Sequence, residues 1–104
     1  MFHVLLALAA HDLHGYAILK EVEQRTGGKV RLSTGTLYGI IKRLVDDGLI
    51  VERRSRPAES DDERRRYYRL TSQGWRVATA EAERMDEILS VARSRNLLKK
   101  PRMA

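Results

Sequence analysis

The chain has 104 residues, 42% of them hydrophobic, which indicates one small folded domain with an appended element. The net charge of +6 favours a polyanionic partner, and the absence of cysteine excludes disulfides and thiol chemistry. The first apolar run, residues 4–10, is too short to span a bilayer and lacks the basic start of a signal peptide. We therefore expect a cytoplasmic protein with no membrane partner.

Three helices are predicted in the first half of the chain. Residues 2–10 are almost all apolar, which indicates a buried helix. A second helix over residues 16–25 ends before a glycine pair, and a third over residues 33–45 ends at an Asp-Gly step. Ser33 or Thr34 can cap the third helix by accepting a bond from an early backbone N–H.

The third helix has one apolar stripe and one polar face. Its apolar residues recur at the spacing of a buried helical face, namely Leu37, Ile40, Ile41, Leu44 and Val45. The opposite face presents Thr36, Tyr38, Gly39, Lys42 and Arg43. The surrounding window of residues 25–43 holds five basic side chains and no acid, namely Arg25, Lys29, Arg31, Lys42 and Arg43. Because helix N-termini also favour phosphate, this pattern predicts a DNA-recognition helix.

A hairpin of two basic strands follows. Residues 49–54 and 66–70 are rich in β-branched, aromatic and basic residues, and the loop between them is polar with four acids. Side-chain alternation places Tyr68 with Leu70 in the core and Tyr67 nearer the surface. Such a hairpin is a wing, whose arginines contact DNA phosphates or, alternatively, pair with the acids of the same hairpin.

A last helix is predicted over residues 73–95, with Thr71 or Ser72 as its cap. It carries a seam of residues three and four apart, with Asn96 next in the series: Trp75, Ala78, Ala82, Met85, Leu89 and Ala92. This spacing favours a dimer interface. Trp75 is interpreted first as packing against the preceding domain, and alternatively as lining a cavity between subunits.

The predicted fold is mainly α with a small β-hairpin. It comprises a winged helix-turn-helix over residues 1–71, then a C-terminal dimerisation helix and basic tail over residues 72–104. On these elements the chain resembles the PadR family of bacterial transcriptional regulators, in the subgroup with a single C-terminal helix. The matching motifs are His14-Gly15-Tyr16, Gly35-Thr36-Leu37-Tyr38, Asp47-Gly48-Leu49-Ile50, and Arg65 to Thr71 with Gly74 following.

The resemblance implies a homodimeric repressor that binds an inverted-repeat operator in double-stranded DNA. It also implies that a small hydrophobic effector can release some such proteins. Gly39 departs from the residues frequent in the family, so the contact surface at that position does not carry over. The expected DNA-binding residues are Ser33, Thr34, Thr36, Tyr38, Lys42, Arg43, Arg64, Arg65 and Arg66. An alternative for Tyr38 is a half-buried ring that supports the second helix.

The sequence favours two other functional classes less. A winged helix can bind protein instead of DNA, although the acid-free window argues against this. An enzyme is not expected, since no nucleophile–base pair or glycine-rich phosphate loop is recognisable. The histidines near Asp12 suggest a structural turn and not a metal site, because no further ligands support tetrahedral binding. We therefore expect neither a metal nor a cofactor.

Overall fold

The computed structural model describes residues 1–54 and 66–98. The predicted hairpin loop, with Arg64 and Arg65, and the tail over residues 99–104 lie outside the described residues. Within the described ranges the elements, in chain order, are α1 (Phe2–Ala10), β1 (Leu13–His14), α2 (Gly15–Arg25), α3 (Thr34–Asp46), β2 (Ile50–Arg54), β3 (Arg66–Leu70) and α4 (Ser72–Ser94). This order confirms the predicted winged helix-turn-helix followed by one long helix.

The predicted ends of the helices are confirmed to within one residue because local hydrogen bonds fix them. Ser33 caps α3 and Thr71 caps α4, each accepting a bond from a backbone N–H three residues on. At α2, the His14 ring Nδ1 accepts the Ala17 backbone N–H at 3.2 Å. The sequence indicated only a structural turn at the histidines near Asp12, so this imidazole cap was not predicted.

The sheet has three antiparallel strands in the order β1-β3-β2, one more strand than the predicted hairpin. The register of β2 and β3 runs from Ile50 opposite Leu70 to Arg54 opposite Arg66. On the other edge of β3, Leu13 lies opposite Tyr68. A strand of two residues shows no alternation in sequence, and its partner lies more than fifty residues later, which explains why β1 was not predicted.

The core lies between α1, α2, α3 and the inner face of the sheet. Its fully buried side chains come from all of these elements, including Val4, Ile18, Leu37, Leu44 and Ile50. Tyr68 and Leu70 are buried while Tyr67 is only partly buried, which confirms the predicted alternation of β3. The predicted stripe of α3 is confirmed at its centre, but Val45 is 38% exposed, so its burial was wrongly expected.

The start of α4 lies against the turn that precedes β2. The Thr71 Oγ1 donates to the Gly48 carbonyl oxygen at 2.7 Å, and the Thr71 backbone N–H donates to the Leu49 carbonyl oxygen at 3.0 Å. A Cβ built on Gly74 would overlap that same Leu49 oxygen. The close approach of α4 to the domain therefore depends on glycine at position 74.

The far end of α4 is closed by Asn96, which was expected to continue the seam. Asn96 instead has φ 62°, the left-handed conformation that terminates helices. The Leu97 backbone N–H donates to the Ala92 carbonyl oxygen at 2.9 Å, and the Asn96 N–H donates to Arg93 at 3.1 Å. This is a Schellman arrangement, so the seam ends at Ala92.

Candidate nucleic-acid interface

Two hydroxyl side chains organise the first turn of α3. The Ser33 Oγ accepts the Thr36 backbone N–H at 3.1 Å and donates to the Thr36 Oγ1 at 2.9 Å. Thr34 and Gly35 are exposed beside this cap, at the positive end of the helix dipole. The three hydroxyl residues expected at the interface thus surround a helix N-terminus that can receive a phosphate.

Tyr38 lies partly on the outer side of α3, with 48% of its surface exposed. Its hydroxyl lies against the start of α2, because a Cβ built on Gly15 would be 2.5 Å from the Tyr38 Oη. The two interpretations of this tyrosine are therefore compatible. Its hydroxyl end contacts α2, while about half of the side chain remains accessible.

The two basic residues of α3 each have an acid one turn further along. The Lys42 Nζ lies 3.3 Å from the Asp46 Oδ2, and the Arg43 Nε lies 4.0 Å from the Asp47 Oδ2. The Lys42 and Arg43 side chains are nevertheless 80% and 73% exposed. Ion pairs this exposed contribute about 0–1 kcal/mol, so a phosphate can compete for both cations.

An open groove of about 260 Å³ runs between α3 and the hairpin. Tyr38 and Lys42 lie on its α3 side, and Arg66, Glu52 and Tyr68 on its strand side. The Arg66 Nε lies 3.3 Å from the Glu52 Oε1. Arg66 therefore faces α3 from the loop end of the two strands. Its pairing with Glu52 is the kind of contact expected under the alternative interpretation of the wing, in which its arginines pair with acids of the same hairpin.

In the folded protein, residues 25–43 expose less positive charge than their sequence suggests. Arg25 donates to both carboxylate oxygens of Glu21 and to the His3 carbonyl oxygen at 3.0 Å, which joins α2 to α1. The hydrogen bonds to Glu21 raise the pKa of Arg25. Arg31 lies 3.6 Å from Glu23. Acids just outside the window thus pair with its members, so the acid-free stretch overstates the positive charge available for DNA.

The outer face of the sheet holds a cluster that sequence analysis missed. The Asp12 Oδ2 lies 3.4 Å from Arg53 and 3.9 Å from Arg69, which joins the turn after α1 to β2 and β3. Beside it the His14 and Tyr67 rings meet edge to face at 5.5 Å. The partners in all three pairs are 41 or more residues apart in sequence, so periodicity carries no signal for them.

On α4 the exposed apolar surface is wider than the predicted seam. Trp75 and Leu89 are exposed members of that seam, while Ala78, Met85 and Ala92 are partly buried and Ala82 is exposed. Three further large side chains are exposed on the same helix but were not predicted as interface residues: Val77, Ile88 and Val91 at 39%, 55% and 50%. Leu6 of α1, a helix that packs on α4, is also 39% exposed.

Trp75 lies in the first turn of α4 and is 48% exposed, so about half of the residue is accessible. Contacts with the winged domain in this part of the helix include Gly74, which is buried, and Ala78, which packs against the core. The two interpretations of Trp75, packing against the domain and lining a cavity between subunits, both stay predictions.

The described residues offer neither a metal-binding cluster nor a membrane-spanning helix. No group of three His, Cys, Asp or Glu side chains in residues 1–54 and 66–98 is placed to share a metal ion. Nor does any helix in that part of the chain have the length and hydropathy needed to cross a membrane.

Comparison with known proteins decides the family. The profile of the "Transcriptional regulator PadR-like family" matches residues 4–80, from α1 into α4. The chain belongs to the PadR-like family of transcriptional regulators. This is a family of transcriptional regulators and not of enzymes, as the sequence motifs indicated.

Two relatives match most of this chain, and one of them is described as a transcriptional regulator. The chain is 33% identical over 86 residues to the transcriptional regulator Rv3488 of Mycobacterium tuberculosis, an alignment that covers 83% of this chain and 75% of that protein. It is 42% identical over 82 residues, 79% of this chain, to a 37.1 kDa protein in transposon TN4556 of Streptomyces fradiae. The matched part is only 21% of the transposon protein.

Solved structures share the fold. A transcriptional regulator from Clostridium thermocellum superposes with a TM-score of 0.76 at 26% identity, covering 89% of this chain and 85% of that one. Bacillus subtilis PadR, solved in complex with operator DNA, superposes with a TM-score of 0.66 at 18% identity and covers 99% of this chain and 49% of that one. The PadR-like winged-helix architecture is thus common to all three.

Proposed function

We propose that this regulator binds double-stranded operator DNA through α3 and the wing. The observation that carries the proposal is the exposed face of α3. A capped helix N-terminus, the open side of Tyr38 and the exposed cations Lys42 and Arg43 lie together there, with Arg66 across the groove. The full set of proposed contacts is Ser33, Thr34, Thr36, Tyr38, Lys42, Arg43, Arg64, Arg65 and Arg66.

The operator complex of Bacillus subtilis PadR, which has the same fold, supports this mode of action. In such a mode α3 enters the major groove and the wing follows the flanking backbone. Residues 1–71 would form the DNA-binding part, and residues 72–104 the dimerisation part. We further propose that the protein acts in the cytoplasm as a repressor.

The second part of the proposal is a homodimer formed through α4. Its exposed apolar side chains, Trp75, Ile88, Leu89 and Val91 among them, give a second copy a surface to bury. A two-fold dimer presents two copies of α3, which fits an operator with inverted half-sites about one helical turn apart. A small hydrophobic effector would act by binding one dimer geometry better than another.

The DNA face is tested by the salt dependence of binding. Tyr38→Ala with Lys42→Ala should weaken binding to all sequences, and the loss of the Lys42 contact should lower the slope of log K against log salt by about one. Arg76→Ala is the matched control, because Arg76 is an exposed cation on the side of α4 away from the seam. Unchanged affinity and slope in the double variant would remove this surface, and salt-insensitive binding to a protein would favour the interaction-module alternative.

The dimer is tested separately by Leu89→Asp. Burial of Leu89 would contribute about 1.5–3 kcal/mol per side chain, and a carboxylate in that interface would not be tolerated without a partner. We expect the variant to sediment as a monomer, to keep its folded winged domain and to lose most operator affinity, since two half-sites could no longer be engaged together. If wild type and variant sediment as the same species and bind equally, α4 is not the dimer element.

A further inference from the structure

Glycine in the middle of the recognition helix has no structural explanation within the chain. A Cβ built on Gly39 has no described atom within 4 Å. Gly39 is also absent from the described residues with left-handed φ, a group that includes Gly27, Gly28 and Gly48. The fold thus leaves room for a side chain at position 39 and imposes no backbone conformation there that requires glycine.

Two other helical glycines, Gly15 and Gly74, behave differently, whereas Gly35 in the first turn of α3 also has open space around it. At Gly15 a Cβ would be 2.5 Å from the Tyr38 hydroxyl, and at Gly74 it would overlap the Leu49 carbonyl oxygen. Both are therefore required by packing inside the chain. Gly39 is exposed and meets nothing, so any requirement for glycine there must come from outside the chain.

The position also carries a stability penalty. Glycine is the least favourable residue in a helix interior apart from proline, and alanine in its place favours folding by about fourfold to fivefold. Gly39 lies near the middle of the thirteen residues of α3, where neither a cap nor a helix end would favour it.

Its neighbours define what could approach. Tyr38 is the adjacent residue, and Lys42 and Arg43 lie three and four residues on, on the same side of the helix. Gly39 is therefore a gap in the side chains of the proposed DNA-binding face, bordered by a half-exposed tyrosine and two exposed cations. At such a gap another molecule can approach the helix backbone more closely than any side chain would allow.

We propose that Gly39 is a specificity-determining residue, which lets the edge of one base pair in each half-site contact the backbone of α3. This inference rests on the proposed DNA-binding function. Cations placed beside the gap would hold the phosphates, and the missing side chain sets the depth of the helix in the major groove. The base-pair preference at that position follows from the space available, since the thymine methyl group and the other major-groove edges differ in shape.

The test compares Gly39→Ala with wild type by selection from a random pool of duplex DNA, followed by titration of the selected operator. The variant should be more stable in urea, yet bind the wild-type operator at least tenfold more weakly. Its salt slope should be unchanged, because no phosphate contact is removed. Its selected sites should differ from those of wild type at one position in each half-site.

Ser90→Ala is the control, because Ser90 is exposed on α4. This substitution raises helix propensity but leaves the proposed DNA-binding face unchanged. Gly39→Ser has a side chain slightly larger than that of alanine and should weaken operator binding at least as much. It provides a second measurement of the effect of a side chain at position 39 if the alanine variant folds poorly. This inference alone would be overturned if the Gly39 variants had the same affinity and the same site preference as wild type. A loss of affinity that is equal for all DNA sequences would overturn it as well. Failure of wild type to bind any duplex would overturn the proposed function with it.

Discussion

The winged domain and α4 bury their apolar side chains to very different extents. Every large side chain of the described core comes from residues 4–70. In α4, all of which is described, only Gly74 is buried, while Trp75, Ile88, Leu89 and Val91 are at least 40% exposed. The winged domain therefore closes its own core, whereas α4 is held by its first turns and presents an apolar surface beyond them.

This difference separates two kinds of residue that look alike in sequence. Leucine and isoleucine in α3 stabilise the fold of the single chain, while the same residue types in the far half of α4 are available for association. A surface of this kind on a small soluble domain usually marks a binding site. The two regions should therefore respond to substitution as differently as their burial implies.

The largest effect on the single chain is expected from truncation in the winged core. Leu44 is fully buried, so Leu44→Ala should lower the free energy of unfolding by about 2–5 kcal/mol through lost burial and a cavity. Ile88→Ala, at a side chain 55% exposed, should change it by less than about 0.5 kcal/mol. Urea unfolding at protein concentrations where the chain is monomeric measures both. Similar losses in the two variants would contradict the comparison.

A smaller effect is expected at the junction of the two regions. Gly74→Ala places a methyl group on the Leu49 carbonyl oxygen, and the required shift of α4 should cost about 1–3 kcal/mol. Gln73→Ala changes an exposed neighbour and serves as the control. If the glycine variant unfolds at the same urea concentration as wild type, α4 is not held where the structure places it.

The smallest effect is a pH dependence that belongs to the winged core alone. Burial raises the pKa of Tyr68, and the nearby Glu52 carboxylate raises it further. The unfolded chain, with a tyrosine pKa of about 10, therefore ionises first. This contribution to stability is present below pH 10 and is lost as the pH rises towards the folded-state value. Urea unfolding between pH 9 and 11 should show a smaller alkaline loss in Tyr68→Phe than in wild type.

Tyr16→Phe is the control for that experiment, since Tyr16 is 61% exposed on α2. It should leave the alkaline loss as in wild type. An equal reduction in the two variants would mean that burial of Tyr68 is not its cause.

Local features of the fold could be predicted from sequence because their determinants lie within a few residues of each other. The Ser33 and Thr71 caps fix helix starts, and alternation in β3 places Tyr68 inside and Tyr67 outside. The Arg43–Asp47 ion pair likewise joins residues four apart. In each case the physical interaction spans one helical turn or one strand.

The remaining features depend on parts of the chain that meet only in the folded state. The pairing of Asp12 with Arg53 and Arg69 joins distant segments, and so does the contact of the Tyr38 hydroxyl with Gly15. Sequence periodicity described one seam of α4 but not the exposed Val77, Ile88 and Val91 outside it, because the seam alone does not show how far the domain covers the helix. Likewise, Gly39 is informative only once its surroundings are known to be empty.

The most direct test of the central claim, that the winged domain binds operator DNA and α4 pairs two copies of it, is selection of duplex DNA from a random pool by wild type and Leu89→Asp in parallel. Wild type should enrich sites with two inverted half-sites about one helical turn apart. The variant should enrich only the single half-site, and weakly, because its winged domain remains intact while the second half-site is no longer engaged. Enrichment of the same paired sites by both proteins, or of no site by wild type, would contradict the account.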